Sequence, residues 1–293
     1  MEQTNDEGPD YGSEHTSLPS VQAPATDNHS RDHTELEALR KQFATFAGQC
    51  GRLFVNARCA EASAIGRDVG ATSYGIADGA AAPVSARALG PDRATGRLRW
   101  GGRDVRLEVP QPGLHNLENA GAAALVALEL GIRAVDIEAL LPRFPGVARR
   151  FETIGVTRTG IRVIDDFAHN GEKIRAALTT AQAAAARVVA VFQPHGFGPA
   201  RFLRDELREM LPRLLRPADR LCYAEIFYAG GTVTRDLGSR DLAADIGCAY
   251  APDHAAVVRW VAGEARPGDV VLLMGARDPE LPRLAREIVA ALA

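Results

Sequence analysis

Three short polar clusters follow apolar runs in the second half of the chain. Asp165-Asp166-Phe167-Ala168-His169-Asn170 follows Ile-Arg-Val-Ile. Phe192-Gln193-Pro194-His195-Gly196-Phe197-Gly198 follows Val-Val-Ala-Val, and Gly275-Ala276-Arg277-Asp278 follows Val-Val-Leu-Leu-Met. Adjacent carboxylates and histidines are poor core material, because buried charge needs partners. The same groups can take up and return protons near neutral pH. Taken singly, each cluster also reads as a polar strand-to-helix loop. Three of them at successive strand ends point to a shared cleft, since ligands of open α/β sheets bind at the carboxyl ends of strands.

Two further clusters lie upstream. Gly113-Leu114-His115-Asn116-Leu117-Glu118-Asn119 opens an Ala-rich stretch. Asn116 and Asn119 are three apart, so both can face one ligand from a first helical turn. The alternative is N-capping by Asn116. Arg149-Arg150-Phe151-Glu152 follows Pro145-Gly146. Arginines there can clamp phosphate or form a solvated salt bridge. His29, Asp32 and His33 could hold a metal or stand solvated. The spacing of His254, Glu225 and Tyr228 gives no pattern.

The elements that must position these groups are legible from periodicity. Residues 1–33 are acidic and rich in Ser, Thr, Pro and Gly, which predicts a disordered lead-in. Leu36, Leu39, Phe43 and Phe46 form an apolar helical stripe. Short strands follow, with a hairpin signal at Gly101-Gly102. A buried helix is expected from Asn116 to Leu130, ending at Gly131, then a second from Val135 to about Leu141. After Gly146 the pattern changes. Two strands flank a turn at Thr159-Gly160, and then short apolar strands alternate with amphipathic helices. That alternation predicts an α/β fold with a parallel sheet covered on both faces. A boundary near residues 146–151 divides the structured part into 34–148 and 149–293.

The 293 residues, 46% hydrophobic and 24% charged, can bury a real core. A net charge of -3 argues against nucleic acid as a partner. No apolar run reaches membrane-spanning length and no signal peptide opens the chain, so neither a membrane nor secretion is expected. Cys50, Cys59, Cys222 and Cys248 are widely spaced and read as reduced thiols of a cytoplasmic protein.

In their order these clusters resemble the Mur ligase family. Gly113–Ala120 is similar to the family's G-x-H-N-x-x-N-A, and Arg149–Glu152 to R-R-F-E. Asp165–Asn170 is similar to D-D-[YF]-[AG]-H-[HN], and Phe192–His195 matches F-Q-P-H. Tyr228–Gly231 is similar to Y-x-A-G-E, and Asp269–Ala276 closes the series. Asp27–His33 resembles N-I-x-x-D-H. The resemblance covers about residues 27–293. It implies a remnant of the Mur ligase central domain followed by a Rossmann-like carboxyl-terminal domain. The activity it implies is ATP-dependent amide-bond formation between a UDP-muramoyl carboxylate and an amino acid or peptide in peptidoglycan synthesis.

By resemblance, Asn116 and Asn119 lie near adenine, Arg150 contacts ATP phosphate, and Asp165 holds the ribose side. His169 and His195 face the place where amine and acyl phosphate meet. His33 belongs to the Mg²⁺ region. The family's phosphate loop, G-T-x-G-K-[ST], has no counterpart. The only lysines are Lys41 and Lys173, and neither follows glycine. Gly171, Gly196 and Gly231 replace the family's proline, arginine and glutamate. The expectation is a partial ligase without the UDP-binding domain and the phosphate loop, inactive alone. Three readings are weighed: a ligase needing an absent half, which a partner protein could supply; a non-catalytic remnant binding nucleotide or a partner ligase; and an unrelated enzyme such as a dehydrogenase. The last lacks a G-x-G-x-x-G between strand and helix.

Overall fold

A computed structural model describes residues 33–228, 230 and 234–293, with side chains from residue 37 onward. The expected lead-in over 1–33, the side chain of Leu36 and the Mg²⁺ assignment to His33 lie outside the described residues, apart from the backbone of His33 and Leu36.

The first half is a five-stranded sheet. Helix α1 (His33–Gln49) leads into β1 (Phe54–Asn56), α2 (Ala60–Asp68), β2 (Thr72–Gly75), β3 (Ala82–Leu89), β4 (Ala94–Trp100) and β5 (Arg103–Val109). The strands lie in chain order: β1, β2 and β3 run parallel, while β3, β4 and β5 form an antiparallel meander. The hairpin turns at Gly101-Gly102, with Trp100 paired to Arg103. Both glycines have positive φ, as a tight hairpin turn requires. Helix α3 (Leu114–Glu129) covers this sheet with Leu117, Ala124, Leu125 and Leu128, all buried. Gly96 is required by that packing. A Cβ there would meet the Ser85 carbonyl oxygen and stand 2.8 Å from Leu117 Cδ2. Helix α4 (Ala134–Leu140) follows. On α1, Leu39, Phe43 and Phe46 are exposed, and Ala47 is the buried position.

The second half is a six-stranded sheet. Its elements are β6 (Glu152–Val156), β7 (Arg162–Asp166), α5 (Gly171–Ala184), β8 (Val188–Gln193), α6 (Phe197–Leu214) and β9 (Arg220–Ala224). They continue with α7 (Ser239–Ile246), β10 (Ala249–Ala251), α8 (His254–Glu264), β11 (Val270–Gly275) and α9 (Leu281–Leu292). The spatial order is β10-β9-β8-β11-β7-β6, parallel throughout except for the β6–β7 pair. Alternate side chains of one strand serve opposite faces. Thus Val188, Ala190 and Phe192 pack with α5, α6 and α7, while Val189 and Val191 pack with α8 and α9. That double burial explains why β8 and β11 read as unbroken apolar runs.

The buried charge at the amino ends of these strands is fully paired. Arg187 donates to Asp269 at 2.7 Å and to the Ala218 carbonyl at 2.9 Å. The carboxyl ends differ. Asp165 Oδ1 and Gln193 Oε1 are buried without a hydrogen-bond partner.

Candidate functional site

Strands β8, β11 and β7 are neighbours, so the loops that follow them open on one edge of the sheet. They bring His195, Arg277 and His169 together. The His169 and His195 rings meet edge to face, with centroids 5.1 Å apart. Beneath them lies a small pocket lined by Phe192, Pro194, Pro199 and Leu203 as well as the two histidines. His169 Nδ1 lies 2.7 Å from the Phe167 carbonyl oxygen, which fixes the ring and leaves Nε2 as its other polar atom.

Both imidazoles are held below the ordinary histidine range. For His169, burial is the main cause, and the nearby cations Lys173, Arg150 and Arg277 add to it against the Phe167 hydrogen bond. For His195, burial leads, followed by His169 and Arg277. Lys173, Arg150 and Arg277 are all exposed. The cleft therefore combines two predominantly neutral imidazoles with three solvent-facing cations, a field suited to an anion.

The backbone around the cleft is unusual. Among the described residues, the only non-glycine positions with positive φ are Arg149 (60°), Phe151 (51°) and Arg277 (66°). Left-handed conformations of side-chain-bearing residues cost free energy and collect at functional sites. Here the surroundings hold them. Arg149 Nε donates to Asp165 Oδ2 at 3.1 Å, and its NH2 group donates to the Gly275 carbonyl at 2.8 Å. The Phe151 amide donates to Asp166 Oδ2 at 2.7 Å. The Arg149-to-Glu152 segment is thereby tied to the ends of β7 and β11.

The candidate residues fall into two groups. His169, His195, Arg150 and Asn119 have exposed or half-buried side chains. Arg150 also lies over the Phe167 ring, 5.4 Å from its centroid. Asp165 and Asn116 turn inward. Asp165 is fully buried against Arg149, so its carboxylate touches a guanidinium where a ribose contact was expected. Burial pushes its pKa up, against the pull of Arg149. Asn116 is buried and donates to the Pro112 carbonyl at 2.8 Å. It does not cap α3, since the cap is Gly113 at φ 96°, and it does not share a face with exposed Asn119. No group of three or more His, Cys, Asp or Glu side chains among the described residues could hold a metal ion.

Several residues nearby make contacts that no local pattern encodes. Asp166 accepts from two backbone amides, those of Phe151 and Ala168. His115 faces it, and burial lowers the His115 pKa. Glu118 is buried on α3 and accepts from the Ile76 amide and from Arg58. His254 Nε2 lies 3.3 Å from Asp278 Oδ2 and 3.5 Å from Gln193 Nε2, contacts that spacing alone could not reveal.

Residues 149–277, which contain His169, His195 and Arg277, match the model of the Mur ligase glutamate ligase domain. The UDP-N-acetylmuramate–L-alanine ligase of Acaryochloris marina is 30% identical over 272 residues, covering 86% of this chain and 55% of the relative. The chain belongs to the Mur ligase family. The corresponding enzyme of Acetivibrio thermocellus is 32% identical over 182 residues, covering 60% of the chain and 38% of the relative. The Mur fold extends over both sheets. The UDP-N-acetylmuramate–alanine ligase of Thermotoga maritima superposes with a TM-score of 0.67 at 22% identity, covering 89% of this chain and 57% of that one. The MurF ligase of Thermotoga maritima, solved in complex with ADP, superposes at 0.64 with 14% identity, covering 87% and 58%. The chain thus spans between a third and somewhat over half of the length of these Mur relatives. No helix among the described residues is long and apolar enough to cross a membrane.

Proposed function

We propose that these residues form the nucleotide- and amine-facing half of an ATP-dependent acid–amino-acid ligase cleft acting on a UDP-muramoyl carboxylate in peptidoglycan synthesis. Residues 34–148 form part of the central ATPase region, and residues 149–293 the carboxyl-terminal domain. The observation that carries the reading is the convergence of His169 and His195, 5.1 Å apart, within the charge of exposed cations. Ligation by acyl phosphate needs both parts. Transferring phosphoryl oxygens carry charge that cations stabilise, and the attacking amine must lose a proton to a group that is neutral at working pH. Depressed imidazole pKa values supply that acceptor.

The roles proposed for the candidates combine the resemblance with their burial and contacts. Arg150 meets phosphate, and Asn119 faces the adenine side. Asp165 acts through Arg149, and Asn116 through the Pro112 turn, as positioning residues. His169 and His195 receive the amine. The three exposed cations fit a nucleotide's anionic groups. The described residues offer no complete Mg²⁺ site.

No lysine follows glycine anywhere in the 293 residues, so a triphosphate bound here has no Walker-type lysine. This favours binding without turnover when these residues act alone, whether the phosphate loop comes from further sequence or from a partner protein. The test is ADP binding to the 293-residue polypeptide, followed through the His169, His195 and Asn119 resonances. ADP is expected to shift them saturably, and Arg150→Ala to weaken binding by about 3- to 10-fold, as for an exposed charge-assisted contact. Unshifted resonances at millimolar ADP would overturn the reading.

A further inference from the structure

We infer that Arg277 is an oxyanion-binding residue of the two-histidine cleft, taking either a phosphoryl group or the carboxylate of the incoming amine substrate. This rests on the reading of the cleft as a ligand site, and it names the group that fixes the ligand there.

Strand β11 lies between β8 and β7, so its carboxyl-end loop is flanked by the loops carrying His195 and His169. Arg277 is the one exposed residue of the run Gly275–Asp278. Its neighbours are locked. The Gly275 carbonyl accepts from Arg149 at 2.8 Å, and Ala276 is buried. The Asp278 amide donates to the Ala276 carbonyl at 2.9 Å. The buried Asp278 carboxylate accepts from the Glu280 amide at 2.8 Å and lies 3.3 Å from His254 Nε2. This turn imposes φ 66° on Arg277, a conformation at which glycine would be at ease. An arginine there carries a backbone cost, and nothing among the described residues repays it through an ion pair. Arg149, Arg187, Arg204 and Arg216 each hold a carboxylate, whereas no carboxylate among the described residues pairs with Arg277.

What the guanidinium does act on is the histidine pair. Its charge helps to depress both imidazoles. The other charged or titratable groups acting on that pair are Lys173 from α5, Arg150 from the segment before β6, and, on His195, the partner histidine. All are cationic or cation-forming. A planar guanidinium fork matches the paired oxygens of either carboxylate or phosphate, and an anion bound there would relieve the mutual repulsion.

The experiment titrates wild-type protein and the Arg277→Gly and Arg277→Lys variants with inorganic phosphate and, separately, with L-alanine, reading the His169 and His195 titration midpoints by NMR. Glycine suits φ 66°, so Arg277→Gly is expected to keep its thermal midpoint or raise it, which separates lost binding from lost folding. Without ligand, Arg277→Gly should raise both histidine midpoints. In wild type the bound oxyanion should raise them saturably. Affinity should fall about 3- to 10-fold in Arg277→Gly, the range for a partly exposed charge-assisted contact, with Arg277→Lys between. A loss confined to phosphate assigns the phosphoryl group, and a loss confined to L-alanine assigns the substrate carboxylate. Equal affinities of wild type and Arg277→Gly for both probes, or no binding of either probe by wild type, would overturn the inference. ADP binding that depends on Arg150, with neither phosphate nor L-alanine affinity depending on Arg277, would sink it while leaving the ligase reading in place. Arg277-dependent phosphate binding without ADP binding would do the reverse.

Discussion

The imidazoles of His169 and His195 stand edge to face at 5.1 Å, although one follows β7 and the other β8, with β11 between those strands. The contact couples their protonation, since a charge on His169 disfavours one on His195. Both should titrate below the ordinary histidine midpoint of about 6.5. In His169→Ala, the His195 midpoint should move up. An unchanged His195 midpoint would show that the rings do not interact in solution.

Stability should follow the same groups. His115, His169 and His195 all have folded-state pKa values below their unfolded ones. As pH falls below about 6.5 the unfolded chain takes up protons that the folded chain refuses, so folding is weakened. The histidine contribution is fully present above the unfolded pKa and is lost as pH falls from there through the lower folded values. Asp165 and Asp166 are shifted the other way. Their contribution is present at low pH and is lost as pH rises through their raised folded values. Urea unfolding of wild type and His115→Gln at pH 7.5 and 6.0 reads the histidine contribution. The pH 6.0 protein should be the less stable, and His115→Gln should shrink the difference. Equal stabilities would contradict the assignment.

Arg149 should matter more to folding than exposed Arg150. Its guanidinium joins the fully buried Asp165 to the Gly275 carbonyl. Removing one partner of a buried pair strands the other charge, at a cost of about 3 kcal/mol. Arg149→Ala keeps the left-handed backbone strain as well, so nothing offsets the loss. Denaturant unfolding should show that drop, with Arg150→Ala within about 0.5 kcal/mol of wild type.

Much of this was legible in the sequence, for physical reasons. Apolar runs such as Val188–Phe192 and Val270–Met274 are buried on both faces, and their length and composition marked them as strands. Gly131 marked the end of α3, and Gly101-Gly102 marked the hairpin. Strand β3 has little local signal, because Ala82–Leu89 mixes alanine, proline, serine and arginine and is held by its neighbours more than by its own alternation. Strand β10 has three residues, too short to show a period. Helix α6 begins at Phe197, directly after Gly196 and with Pro199 in its first turn, residues that suit a helix start as well as a loop. At the site, residue types were readable but directions were not. Asp165 faces inward because Arg149 reaches it across sixteen residues of sequence, a contact no local pattern encodes.

Gly113 offers a sharp test of how α3 is set against the second sheet. It has φ 96°, and a Cβ there would stand 2.9 Å from Thr180 Oγ1 on α5 and 2.7 Å from the His115 ring. Gly113→Ala should destabilise by about 1–3 kcal/mol and shift the Asn116 and Asn119 resonances. A silent substitution would mean that the two halves are not held together at this point.

The central claim is that these residues supply one half of a ligase cleft and that the phosphate-cradling half comes from other residues. The direct measurement follows phosphate release and ligated product from ATP, Mg²⁺, UDP-N-acetylmuramate and L-alanine. It compares the 293-residue polypeptide alone with the same polypeptide joined to the amino-terminal half of the Acaryochloris marina ligase. The polypeptide alone should show no ligase-like turnover, because several charge-stabilising donors are missing and each is worth about 100- to 1,000-fold. The joined protein should turn over on the order of once per second, an ordinary enzyme rate, and His195→Ala should abolish that activity. Turnover at that rate by the 293 residues alone, abolished by Arg150→Ala, would contradict the account. So would a joined protein that binds ADP yet makes no product.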